Sequence, residues 1–528
     1  MRSKYILGVL GTGLVIAAAG GCGSDAEDGN TGGTGGTGAS GSASSTGVGA
    51  QTTSTTTGTA TGPTSSSSSG KPDTNVDCAS GVKLDIGTAA QEELENPETD
   101  EDFFTFEGTK GQAVFLLLDA KPDDDPFADG YVDSVLTVYG PDGSQYAEND
   151  DPIPRNTQDS SLYTVLPADG TYCIKVQDFC KWAADKGDPC PASAVPVDDG
   201  NFAVLVGNVD PTAESVTEHD ETADGDPPYT VMKYGPNTTS GIGYYASEAY
   251  GVFDMQSEVD TFTFTIPEDI ICDAQNATLC STVAASFEER TTGNVELFPA
   301  GTDGNGSTVP VGDVWITPAG SAEIIAKIDG TKIDPTFGLS LNTPLSLGTP
   351  YELHVKAQNG AAVGANPFYF LLHYGAGSNP LDQEDNTTTP VLNDSINTAM
   401  ALEPAALASG ATGFFVAGTV ATPADVDFFS FDNAAAAATD VIRAVCSGQR
   451  SGSGLTGLQF TVHDDKGKVI GTSAVESADA EADLSDAGIP VPAADASIFF
   501  IQVKATGVLS DVTSRYYQCG INFGDPAP

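Results

Sequence analysis

The feature that most constrains this chain is a repeat. Asp100-Glu101-Asp102-Phe103-Phe104-Thr105-Phe106, Glu258-Val259-Asp260-Thr261-Phe262-Thr263-Phe264 and Asp425-Val426-Asp427-Phe428-Phe429-Ser430-Phe431 share one pattern: an acid, any residue, an aspartate, then phenylalanine alternating with a hydroxyl residue. Each is followed, roughly 70 to 90 residues later, by a second shared stretch: Tyr172-Cys173-Ile174-Lys175-Val176, Tyr351-Glu352-Leu353-His354-Val355 and Phe499-Phe500-Ile501-Gln502-Val503. A self-similar segment marks one folding unit per copy. The period of two in both stretches is that of a strand, so Phe104 and Phe106 share one face and Phe103 and Thr105 the other.

Other segments fill in each unit. Ala113 to Leu118 is a near-continuous apolar run, suited to a strand buried on both faces. Val135 to Tyr139 leads into the turn Pro141-Asp142-Gly143, and Phe460 to His463 leads into Asp464-Asp465-Lys466-Gly467. Val295 to Phe298 before Asp303-Gly304 is the expected counterpart in the second unit, followed by an inserted loop. Short strands, frequent Gly and Asp turns and few helical periods predict an all-β chain of tandem antiparallel, jelly-roll-like β-sandwiches. The expected sandwiches cover 77–209, 227–377 (the divergent one) and 384–528, with linkers at 210–226 and 378–383. Ala434 to Ala438 suits either a helical turn or a loop.

Residues 23–76 are Gly, Ser and Thr with almost nothing apolar. They cannot bury enough surface to offset chain entropy, which predicts a disordered tether. Ahead of it, Arg2 and Lys4 precede an apolar run from Tyr5 to Ala19, too short for a span that needs about 20 residues. Ala19-Gly20-Gly21-Cys22 resembles a bacterial lipobox, in which the peptide is cleaved before the cysteine and the cysteine is acylated. Ala19 stands where that motif has leucine, and an ordinary secretory signal is the alternative. Gly23 after Cys22 implies, on the same resemblance, the outer membrane and the cell surface. Acyl chains at Cys22 would make the mature protein anchored rather than spanning.

The formal charge is −52, from 73 acids against 21 bases, which repels phosphate backbones and excludes nucleic acid as a natural partner. Nine cysteines leave eight once Cys22 is set aside, and they sort by unit in even numbers. Cys78, Cys173, Cys180 and Cys190 fall in the first, Cys272 and Cys280 in the second, Cys446 and Cys519 in the third. That distribution suits oxidised, separately stapled domains and lacks the paired spacings of zinc sites. Four cysteines allow three connectivities. Cys173 points away from the Tyr172/Ile174/Val176 face toward flanking segments, which favours Cys78–Cys173 with Cys180–Cys190.

Taken together, these residues resemble the bacterial pre-peptidase C-terminal domain, a β-sandwich module appended to secreted peptidases. The resemblance rests on Asp100 to Phe106, Leu136 to Gly143, Asn149-Asp150 and Gly170 to Val176 in the first unit, and on Asn393-Asp394, Asp425 to Phe431 and Phe499 to Val503 in the third. The second unit matches in its first strand and at Gly348 to Val355. Relatives of this kind often bind calcium through acids near the first strand. The resemblance therefore implies a calcium set of Asp100, Asp102, Asn149, Asp150 and Asp151 in the first unit, Glu258 and Asp260 in the second, and Glu384, Asn386, Asp425 and Asp427 in the third. Calcium takes six to eight such oxygens. The competing reading is that alternating acids on an edge strand face water and block edge pairing.

No residue pattern carries catalysis. His219, His354, His373 and His463 form no metal pair, and no nucleophile elbow, P-loop or dinucleotide fingerprint occurs. His354 sits on the polar face of its strand, where a solvated side chain is expected. His463 is accounted for by a local hydrogen bond, and Trp182 by packing near a disulfide. The expected function is a non-enzymatic surface lipoprotein presenting sandwich modules to extracellular protein or glycan. The alternative is a hydrolase with its site in loops of the second unit.

Overall fold

The computed structural model describes residues 75–524 except 122–129, 151–158, 188–189, 191–195, 210–214, 218–229, 232–243, 254–257, 274–277, 280–281, 290–306, 308–310, 331–339, 359–366, 377–392, 403, 407–411, 433–440, 478–481, 485–488 and 491–497. The signal segment, Cys22 and nearly all of the tether lie outside these residues.

Three β-sandwiches follow one another. In the first, one sheet runs Val82–Lys83, Glu101–Gly108, Gly170–Asp178, Ser134–Tyr139, Gln145–Asn149 in spatial order, and the facing sheet runs Ala90–Glu93, Asn201–Asn208, Ala113–Asp119, Ser161–Val165. The second repeats the first sheet as Thr230–Val231, Val259–Thr265, Pro350–Ala357, Val311–Pro318, Ala326–Asp329. The third does so as Met400–Ala401, Val426–Asp432, Ile498–Lys504, Gln459–His463, Val469–Thr472. In all three, the short first strand is parallel to the Phe-rich strand and the remaining pairs are antiparallel.

The register is also shared. Asp102, Phe104 and Phe106 face Val176, Ile174 and Tyr172; Asp260, Phe262 and Phe264 face Val355, Leu353 and Tyr351; Asp427, Phe429 and Phe431 face Val503, Ile501 and Phe499. A slip of one residue would turn every Phe to the other face, so burial of these rings fixes the pairing. The second unit is thus a full member of the repeat. Its middle strand is Val311–Pro318, turning at Gly320 (φ 73°), and not Val295 to Phe298, which lies outside the described residues. The extra length of this unit therefore falls before the middle strand, not after it.

Each sandwich closes over its own core. Phe104, Ile174 and Leu136 of one sheet meet Leu116, Val204 and Phe202 of the other in the first. Phe262, Leu353 and Val314 meet Leu341, Leu345 and Tyr369 in the second, and Phe429, Ile501 and Phe460 meet Val416, Ile442 and Ile521 in the third. Phe104 meets Phe202 edge-on at 6.1 Å between ring centroids, and Phe262 meets Tyr369 the same way at 6.5 Å.

The sandwiches also touch one another. The Ala113–Asp119 strand is buried on both sides because Val114, Leu116 and Leu118 enter its own core while Ala113 and Phe115 pack on Phe368 and Phe370 of the second unit. Tyr163 and Phe370 lie 5.3 Å apart across this junction. Between the second and third units the contact is made by backbone. Lys327 N–H donates to Gly452 O at 2.8 Å, Thr513 N–H to Ile324 O at 2.9 Å and Ser514 N–H to Ile325 O at 2.8 Å. Ile324 and Val512 form a parallel bridge. Within 210–226, expected to be a linker, Ser215–Thr217 instead forms a strand parallel to Tyr244–Val252. The 378–383 linker and Ala434 to Ala438 lie outside the described residues.

Candidate functional site

The repeated acids do two different jobs. Asp102, Asp260 and Asp427 are two residues from an inward Phe, so they share its face; they are 2 %, 0 % and 0 % exposed. The strand they sit on is second from the sheet edge, so the picture of edge acids facing water does not apply to them. Asp427 Oδ2 accepts a 2.6 Å hydrogen bond from the Tyr517 hydroxyl. Tyr369 occupies the same place in the second unit, opposite Gly251 as Tyr517 is opposite Gly418, and Phe202 fills it in the first. The leading acids instead cap loops. Asp100 accepts from the Glu95 and Glu101 amides at 2.8 and 3.0 Å, and Asp425 accepts from the Ala421 amide at 2.7 Å. Glu258 is buried.

The proposed calcium set of the first unit does not converge. Asp102, Val176, Leu136 and Asn149 form one row across four strands. At about 4.8 Å per strand, Asp102 and Asn149 are roughly 14 Å apart at Cα, whereas two ligands of one calcium lie within about 5 Å of each other. Asn149 Oδ1 accepts from the Ser161 amide at 3.0 Å, and the Asp150 carbonyl accepts from Ser160 Oγ at 2.7 Å, so both are tied into their own loop. Asp151, Glu384 and Asn386 lie outside the described residues. Among the described residues no group of three or more His, Cys, Asp or Glu is arranged to hold a metal ion. Asp102 and Asn149 are therefore too far apart to ligate one calcium ion.

The cysteines pair as expected: Cys78–Cys173, Cys180–Cys190 and Cys446–Cys519. Cys446 and Cys519 are direct cross-strand partners inside the third core. Cys272 and Cys280 cannot be placed, since Cys280 lies outside the described residues. The Cys180 bridge is carried on a helix, Phe179–Lys186, that the strand-based sequence reading missed. Its signals were in the sequence: Asp178 caps it by accepting from the Cys180 amide, and Gly187 (φ 88°) ends it in the left-handed region only glycine adopts freely. Trp182 is buried on this helix with Phe179, Ala183 and Val135.

Two surface regions bring polar groups together. On the outer face of the second sandwich, Thr261, His354, Trp315 and Lys327 form a row across four strands. The expectation of a solvated His354 is corrected here. Its ring is stacked on Trp315 at 4.9 Å, and its nitrogens lie 3.1 Å from Thr261 Oγ1 and 3.0 Å from Thr317 Oγ1. Burial holds its pKa below the usual value, opposed by Glu352 nearby. Lys327 covers the other end of the row, 5.8 Å over the indole and paired with Asp313 at 2.9 Å. His463, as expected, makes local bonds, to the Gly467 carbonyl and to Gln502.

The second region is an open cleft of about 440 Å³ between the second and third sandwiches. Thr343 and Pro344 line one wall; Thr419, Thr513, Ser514 and Arg515 line the other. The backbone bridges described above run beside it and hold the two walls at fixed separation. The Arg515 guanidinium is aimed by its own loop: Nη1 donates to Val512 O and Ser514 O at 2.6 and 2.9 Å, and Nη2 to Leu509 O at 3.1 Å. Sequence reading had no means of finding this site, because its walls come from residues about 170 positions apart.

No family model and no curated protein matches this chain. Among solved structures, the pre-peptidase C-terminal domain of a Bacillus anthracis collagenase is similar to it at 11 % identity and a TM-score of 0.17, over 24 % of this chain and 93 % of that one. The CUB1-EGF-CUB2 domains of rat MASP-1 match at 10 % identity and 0.15, over 55 % and 99 %. The tandem CBM51 modules of a family 98 glycoside hydrolase from Streptococcus pneumoniae match at 12 % and 0.15, over 54 % and 84 %. Likenesses this weak carry no argument about function. What the chain's own structure establishes is a tandem of three β-sandwiches with one shared sheet topology, the first and third of them carrying disulfides.

Proposed function

We propose that this chain is a non-enzymatic lipoprotein of the bacterial outer membrane, held by acylated Cys22 and projecting three coupled sandwiches from its Gly/Ser/Thr tether to bind an extracellular glycan or protein. The observation that carries the binding role is the cleft between the second and third sandwiches. Its walls are joined backbone to backbone, so it is formed before any ligand arrives, and preorganisation of this kind lowers the entropic cost of binding. The repeated acids support the non-enzymatic part: they recur in three copies, with Asp100 and Asp425 capping loops and Asp102, Asp260 and Asp427 buried, where a single reaction centre has no reason to be triplicated.

The test has two arms. Mass spectrometry of the mature N-terminus from membranes is expected to show a chain starting at diacylated or triacylated Cys22; an unmodified Cys22 or cleavage elsewhere removes the anchor. Purified full-length mature protein is expected to retain extracellular glycan or matrix protein without altering it, and turnover of the bound ligand would replace the binding role with an enzymatic one.

A further inference from the structure

We infer that the cleft between the second and third sandwiches is a subsite for a carboxylate-bearing sugar, with Arg515 as its charge-reading residue. This rests on the binding role proposed above and names the ligand class for it. The first observation is the state of Arg515 itself. In a chain with 73 acids and 21 bases, a half-buried guanidinium would be expected to find a carboxylate, yet Arg515 forms no ion pair among the described residues. Its three hydrogen bonds all go to main-chain carbonyls, which fix the plane of the fork without neutralising it. Five N–H groups are available on a guanidinium. The Nε–H and one Nη2–H remain as donors for a carboxylate.

The second observation is the rest of the lining. Thr343 Oγ1 donates to Ser514 Oγ and Thr513 Oγ1 to the Ile324 carbonyl, which leaves these two threonine hydroxyls acceptor capacity toward the cleft, while Pro344 and Ile325 supply a small apolar surface. A sugar ring presents the complementary set, hydroxyls at its rim and C–H groups on its faces. The nearest repeat acid on this wall, Asp425, has its carboxyl turned to the Ala421 amide. At physiological ionic strength the remaining acids are screened beyond about 8 Å, so the overall negative charge slows approach of an acidic glycan without abolishing local recognition. The cleft is open at its rim, which lets a chain of sugars pass through it rather than requiring a free end.

The test uses the full mature protein with a galacturonic acid tetrasaccharide as probe and a galactose tetrasaccharide as its neutral control, by titration calorimetry. The acidic probe is expected to bind, to weaken as salt is raised, and to bind in preference to the neutral one. Arg515→Met is expected to weaken it about tenfold or more, the loss of roughly one charged hydrogen-bonded contact. Because Arg515 also braces its loop, Ala421→Tyr serves as a second variant: Ala421 lines the cleft from an exposed position, and the larger ring blocks it while the backbone N–H still donates to the Asp425 carboxylate. Loss of binding in both variants supports the assignment. Failure of the acidic probe to bind, equal binding of both tetrasaccharides, or unchanged binding in Ala421→Tyr overturns it. Should the probe fail while the protein still retains another extracellular ligand, the subsite assignment falls and the binding role stands.

Discussion

Tyr517 donates its hydroxyl hydrogen to Asp427 at 2.6 Å with both residues sealed in the core of the third sandwich. The repeated aspartate is therefore a core polar group, made tolerable by a partner from the facing sheet. Tyr517→Phe removes the donor while keeping the ring, as Phe202 does at the equivalent position of the first unit. It is expected to destabilise the third sandwich by about 1–2 kcal/mol, measured as a lower urea midpoint at unchanged slope. An unchanged midpoint would show that Asp427 is satisfied without Tyr517.

The Cys446–Cys519 bridge closes a loop of 73 residues across neighbouring strands. The chain-entropy model gives it about 4 kcal/mol, acting on the unfolded state. Replacing both cysteines by Ala is expected to lower the stability of the third sandwich by roughly 2–4 kcal/mol. A non-reducing peptide map is expected to recover the bridge intact; free thiols at both positions would refute the pairing.

Gly452 lies at the seam of the second and third sandwiches with φ 92°, and a Cβ there would meet Leu341 at 3.0 Å and the Lys327 amide nitrogen at 3.3 Å. Its carbonyl receives the Lys327 amide. Gly452→Val thus imposes both backbone strain and a clash on the seam. Calorimetry of the natural chain is expected to show these two sandwiches melting together. The variant is expected to split them into two transitions, and a single unchanged transition would contradict the seam.

Two titrating groups act in opposite senses. Burial pushes the Asp159 carboxyl up to about 6, helped by Asp119 and opposed by the Ala120 and Lys121 amides. A raised acid favours the protonated fold, so this contribution is fully present below about pH 3.8 and is lost as pH rises through about 6, at most about 3 kcal/mol. His354 is lowered by burial, so its contribution is full above its ordinary value of 6.5 and is lost as pH falls below that. Between pH 7 and 5 the first sandwich is expected to gain stability and the second to lose it. The only two tryptophans, Trp182 and Trp315, report on the two separately. Asp159→Asn is expected to flatten the response seen by Trp182, and a response that persists would assign it to another group.

Much of this fold is legible in the chain because its rule is local. Alternation of Phe with Thr or Ser gives the strand, and the inward Phe gives the register. The same parity places Asp102, Asp260 and Asp427 inward. The helix at Phe179 was marked by Asp178 and Gly187, but eight residues are too few to show a period. The middle strand of the second unit was misplaced because Val295-Glu296-Leu297-Phe298 and Val311–Pro318 both suit a strand, and only pairing with Pro350–Ala357 decides between them. Phe368 and Phe370, which flank the inward Tyr369, hinted at burial on the outer face. The cleft and Arg515 had no local signal, since they arise where two units meet.

The central claim is that all three units repeat one sheet topology, including the divergent second. Hydrogen exchange read by mass spectrometry tests it most directly. The account predicts that 259–265, 311–318 and 350–357 are protected together, to a degree comparable with 101–108 and 170–178 in the first unit and 426–432 and 498–504 in the third. Rapid exchange of 311–318 while 259–265 and 350–357 stay protected would contradict it.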